Sequence, residues 1–104
     1  MFVFIETKLF TRLVNEYLTD DEYAALQAAL IRTPEAGDVI PGSGGVRKLR
    51  WRAAGRGKRG GYRVIYFSRL VENEIWLITM YPKNVSETIP AAVLKKIRKE
   101  IENG

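Results

Sequence analysis

Apolar residues along the chain fall into seven stretches whose periods predict helices and strands in turn. Met1 to Glu6 (MFVFIE) is a short apolar run that reads as a first strand. From Lys8 to about Leu18 the apolar positions Leu9, Phe10, Leu13, Val14, Tyr17 and Leu18 recur at helical spacing, and Thr7 stands where a cap is wanted. Thr19-Asp20-Asp21-Glu22 is a capping box with acids in the first turn. It predicts a second helix faced by Tyr23, Leu26, Gln27 and Leu30 and ended by Thr33-Pro34. Val46 to Arg52 alternates, Leu49 and Trp51 on one parity and Lys48, Arg50 and Arg52 on the other, as in a half-buried strand. Tyr62 to Phe67 is rich in aromatic and β-branched residues and predicts the next strand. Glu74 to Tyr81 (EIWLITMY) is apolar on both parities, as expected of a strand at the centre of a sheet and ended by Pro82. A last helix begins at Thr88 or Ile89 with Pro90 in its first turn, and Val93, Leu94, Ile97 and Ile101 form its apolar stripe. The order is β-α-α-β-β-β-α. Short connections between the last three strands imply hairpins, hence an α+β domain with a largely antiparallel four-stranded sheet, two N-terminal helices and one C-terminal helix.

At 104 residues the chain is expected to form a single domain, residues 1–104, with one core. The absence of Cys and His excludes disulfides, a thiolate nucleophile, a His general base and any Cys- or His-ligated metal. No run is long enough to span a bilayer and no signal peptide is evident, so a cytoplasmic location is expected. No cofactor or metal is called for.

Charge changes the picture more than composition does. Residues 1–38 carry three basic and seven acidic side chains, and residues 39–104 carry fourteen and five. Eight of the 23 residues from Gly44 to Tyr66 are Lys or Arg, with no acid between Asp38 and Glu72. A cationic strand face beside the basic, glycine-rich stretch Ala54 to Gly61 points to nucleic acid rather than to solubility alone. The other glycine-rich stretch, Glu35 to Gly45, lacks the Lys-Ser/Thr ending of a phosphate loop and reads as a flexible connector.

GGVRKLRW, the loop GRGKRGGYRVIY and the strand exit ITMYPKN resemble the RelE/ParE superfamily of toxins of bacterial type II toxin–antitoxin systems, and within it the HigB-type members of the RelE branch. The resemblance implies a RelE-like fold and a ribosome-dependent endoribonuclease that cuts mRNA in the decoding site. It also implies restraint by a co-expressed HigA-like antitoxin protein. On it, Arg63 matches the arginine that contacts the scissile phosphate, Lys48 and Arg50 match a pair of alternating strand cations, and Lys83 falls where a basic residue follows the last strand. Ile89 stands where the RelE-type sites carry a tyrosine, so the general base has no match.

Cutting RNA by attack of its own 2′-hydroxyl needs cations aimed at the phosphorane and a group to protonate the leaving 5′-oxygen. Arg63 and Arg50 suit the first task. For the proton, like charge makes a crowded lysine readier to give it up, which ranks Lys48, then Lys58, then Lys83, with Tyr81 as a further donor. Arg47, Arg52, Arg56, Arg59 and Asn84 are expected to contact RNA, and Trp51 and Tyr62 are candidates to stack on bases. For Trp51, Tyr66 and Trp76 the plainer reading is core. The competing functions are a ParE-like gyrase poison on the same fold and a non-catalytic nucleic-acid-binding module.

Overall fold

A computed structural model describes residues 1–52, 61–85 and 89–103. Its elements are β1 (Val3–Glu6), α1 (Lys8–Tyr17), α2 (Asp20–Arg32), β2 (Asp38–Val39), β3 (Arg47–Trp51), β4 (Tyr62–Arg69), a 3-10 turn (Leu70–Glu72), β5 (Glu74–Pro82) and α3 (Ala91–Asn103). The sheet has five strands in the order β1-β5-β4-β3-β2. Only β1 runs parallel to its neighbour, β5; the other pairings are antiparallel. The α+β class and the largely antiparallel sheet are therefore as the periodicity predicts, and β2 is the strand it missed. Two residues are too few to show alternation.

Both helical starts are capped as the sequence suggests. The Thr7 hydroxyl accepts from the Phe10 amide at 3.0 Å and donates to the Ile78 carbonyl at 2.7 Å, tying α1 to β5. Thr19 and Glu22 complete a reciprocal box at 3.1 and 2.8 Å. The α3 start differs from the expectation. The carbonyl of Pro90 accepts from the amides of Val93 and Leu94, so Pro90 precedes the helix instead of occupying its first turn.

Helices cover both faces of the sheet. On one face Phe10, Val14, Leu26 and Leu30 from α1 and α2, with Leu18 between them, pack on Tyr62, Val64, Tyr66, Ile75, Leu77 and Met80. On the other, Leu94 and Ile101 of α3 pack on Val46, Ile65, Phe67 and Ile78. In β4 the faces alternate without interruption. In β5 they do not: Ile65 pairs with Thr79 while Tyr66 pairs with Leu77, leaving Ile78 as an extra residue. Ile75 and Leu77 face α1 and α2, and so does Met80, while Trp76, Ile78 and Tyr81 share the α3 face. A bulge of this kind re-aims every side chain beyond it.

The stretch 35–45 is not the flexible connector expected of its glycines. Ser43, fully buried, donates to the Ile40 carbonyl at 2.7 Å and accepts from the Val46 amide at 3.0 Å. Earlier in the stretch, the buried Tyr66 hydroxyl accepts from the Gly37 amide and donates to the Pro34 carbonyl, each at 2.9 Å. Gly37 is pressed so closely on β3 that a Cβ there would lie 2.9 Å from the Lys48 carbonyl oxygen. Tyr66→Phe orphans a buried amide, and we expect a loss of about 1–3 kcal/mol, read from the denaturant midpoint at constant slope. An unchanged midpoint would show that the tyrosine bond contributes nothing.

Candidate functional site

The sequence-predicted cations converge at the end of the β3–β4 hairpin. Arg50 of β3 stands directly opposite Arg63 of β4, and Arg63 directly opposite Tyr81 of β5. Like charges facing each other across a ladder disfavour strand pairing, so the Arg50–Arg63 pair is not there for stability. Arg50, Trp51, Arg52, Arg63 and Lys83 together line a cavity of about 260 Å³. Lys83 reaches it because its amide donates to the Gly61 carbonyl at 3.0 Å, drawing the turn after β5 onto the hairpin. Gly61 itself adopts φ +61°.

None of the five lining side chains can accept a hydrogen bond. Arginine, lysine and the indole of tryptophan only donate. The Trp51 Nε1–H is buried and has no hydrogen-bond partner among the described residues. A phosphodiester, which offers acceptors and negative charge, is the complementary ligand.

The other candidate residues are distributed differently. Lys48 is exposed on the same strand face, two residues from Arg50, but its partners in the ladder are Asp38 and Ile65 and it does not line the cavity. Ranking it first as proton carrier relied on strand neighbours alone; β2 brings Asp38 alongside it. Asn84 is exposed beside Lys83 and is likewise outside the lining. Arg47 is turned to the opposite face. Its Nη1 donates to the Gly37 carbonyl at 2.8 Å and the Glu35 carbonyl at 3.2 Å, and Nη2 pairs with the Glu35 carboxylate at 3.4 Å. That arginine clasps the 35–37 turn and is not placed to hold RNA. Tyr62 is 2% exposed among α1-facing core residues, with its ring 5.2 Å from that of Tyr17, and cannot stack on a base there. Trp51 also packs against that core. Arg56, Lys58 and Arg59 lie outside the described residues.

Tyr81 occupies the α3 face with Arg63. Burial raises its phenol above the usual value, and the Arg63 charge pulls it the other way. The result is a phenol that keeps its proton at neutral pH while a guanidinium stands beside it. Periodicity could not have found this arrangement. Straight alternation would group Tyr81 with Ile75 and Leu77 on the far side of the sheet.

No protein-family profile matches the chain. Among solved structures it is similar to the E. coli toxin RelE, in a variant with two arginines replaced by alanine and in the free state. The similarity covers 93% of this chain and 96% of that one, with a TM-score of 0.61 and 14% sequence identity. The chain has the RelE fold. At that identity the likeness speaks for the arrangement of helices and strands, and the chemistry of a RelE-fold protein must be argued from its own side chains. Among the described residues no helix is long and apolar enough to cross a membrane.

Proposed function

We propose that this protein is the toxin of a type II toxin–antitoxin system, of the HigB-type RelE branch, and that it inhibits translation as a ribosome-dependent mRNA endoribonuclease. The observation that supports this reading best is the cationic cavity built by Arg50, Arg52, Arg63 and Lys83 at one end of the sheet. A gyrase poison has no need of such a pocket, and a plain binding module has no need to set two arginines in direct cross-strand opposition.

In the proposed reaction the 2′-hydroxyl of the message attacks the adjacent phosphate in line, forming a 2′,3′-cyclic phosphate and freeing the 5′-oxygen. Arg63 holds two phosphate oxygens through its planar fork, and Arg50 meets it from β3. Lys83 and Arg52 add charge at the rim. Fixed cations of this sort stabilise charge that gathers on the phosphorane, and each well-placed donor is worth a few kcal/mol of barrier. The remaining requirement, a message held in a geometry fit for in-line attack, is one this reading assigns to the ribosome. In this reading the protein works in the cytoplasm and its partners are the ribosome, its mRNA and a HigA-like antitoxin.

Induction of the protein alone should arrest growth. Primer extension should then find cuts within a translated message and none in the same RNA free in solution. A translated message that stays whole under arrest would overturn the nuclease reading and favour the gyrase alternative.

A further inference from the structure

We propose that Tyr81 is the general acid that protonates the leaving 5′-oxygen, an assignment that rests on the ribonuclease reading above. The geometry comes from the bulge at Ile78. It turns Tyr81 onto the α3 face, where Tyr81 stands directly opposite Arg63, which in turn stands opposite Arg50. Directly paired residues have their Cβ atoms about 5 Å apart. A phosphate held by Arg63 therefore presents one of its ester oxygens to the Tyr81 hydroxyl. On its other side Tyr81 borders an apolar groove with Leu9, Leu13, Met80, Val85 and Ile89. Tyr81 thus borders the apolar groove and meets the cationic cavity through its cross-strand neighbour Arg63, which lines it.

Charge explains why the phenol suits this step better than the neighbouring lysine. A lysine that gives up its proton loses its positive charge at the moment the phosphorane most needs it. A tyrosine gives up its proton from a neutral state, and the phenolate it leaves is stabilised by Arg63, whose attraction acts on that phenol. Lys83 then keeps its charge throughout. The step balances without a co-reactant. The bond from O2′ to phosphorus forms and the bond from phosphorus to O5′ breaks. The 2′-hydroxyl proton passes to solvent, the Tyr81 proton passes to O5′, and the phenolate recovers a proton from water.

The test uses ribosomes programmed with a short synthetic message in which the scissile 5′-bridging oxygen is either oxygen or sulfur. A thiolate leaves without a proton, because a thiol is far more acidic than an alcohol. Single-turnover rates are compared for the wild-type protein, Tyr81→Phe and Lys83→Met. We expect Tyr81→Phe to slow cleavage of the oxygen message by roughly a hundredfold and to cleave the sulfur message at close to the wild-type rate. Lys83→Met should be impaired on both messages alike. Equal slowing of Tyr81→Phe on both, or rescue by sulfur of Lys83→Met instead, would overturn the assignment. If the wild-type protein cuts neither message, it is the ribonuclease reading that fails. Tyr81→Phe removes a single oxygen, and a wild-type melting profile for it separates loss of the proton donor from loss of the fold.

Discussion

Arg63→Ala will leave translated messages almost uncut while the protein still binds ribosomes. Removing one preorganised donor from a charge-stabilising site costs on the order of 100- to 1,000-fold in rate, or about 3–4 kcal/mol of barrier. Arg63 is placed to show an effect of that size because it is the middle member of the Arg50–Arg63–Tyr81 row, with a neighbour of the site on either side. Arg63→Lys keeps the charge and loses the two-pronged grip, so it should recover only part of the activity. Stability should move independently of activity. Arg50 is exposed and opposes a like charge, so Arg50→Thr, which retains a good strand former, should melt no earlier than wild type while cleaving poorly. The measurements are primer extension on a translated message, ribosome pelleting and thermal melts. Full cleavage by Arg63→Ala would remove the cavity from the proposed chemistry, and an early-melting Arg50→Thr would mean that the pair stabilises the hairpin after all.

Gly61→Ala should damage the fold and the site together. Gly61 sits at φ +61°, where a non-glycine residue is strained, and a Cβ there would lie 2.2 Å from the Trp51 carbonyl oxygen and 2.8 Å from the Arg52 Cα. Both are backbone atoms on the adjoining strand end, so no side chain can swing aside to relieve the clash. The Gly61 carbonyl also holds the Lys83 amide. Any shift that makes room for the methyl group therefore moves Arg52 and Lys83, two walls of the cavity. We expect a loss of about 3 kcal/mol or more, left-handed strain of about 1–2 kcal/mol plus the displaced backbone, together with a fall in cleavage comparable to that of Lys83→Met. Gly42→Ala is the informative contrast. Its φ is +78°, but the nearest atom to a Cβ is 3.7 Å away, so only the strain remains. Circular-dichroism melts and cleavage rates for the pair would decide the matter. If the two variants behaved alike, the close approach to Trp51 would have no energetic consequence.

Much of the architecture was legible in the chain, because period and capping are local. The α1 and α2 boundaries follow from the Thr7 and Thr19 caps and the helical spacing, and β3 and β5 from alternation and from the apolar run around Trp76 to Met80. What misled was also local. Four glycines and a proline between Glu35 and Gly45 suggested slack, whereas the hydroxyls of Ser43 and Tyr66 and the guanidinium of Arg47 satisfy that segment's backbone from within the fold. Strand parity grouped Lys48 with Arg50 and Arg52, yet the cavity stops short of Lys48. Arg47 and Tyr62 counted as RNA contacts while they were merely near other cations; their parity turns them toward the α1–α2 side, where one clasps a turn and the other fills the core.

The sequence by itself determined seven of the elements and their order, the shared face of Lys48 and Arg50 on β3 and the exclusion of histidine and cysteine chemistry. All of these depend on residues close together along the chain. Only the tertiary structure decided which cations meet, since that depends on the β3–β4–β5 register, on the Gly61–Lys83 bond and on a single inserted residue at Ile78. The bulge is the sharpest case. One extra residue in one strand exchanges the two faces for everything after it, and no local pattern in β5 reveals it, because both of its faces are apolar. Tyr81 stands beside Arg63 for that reason.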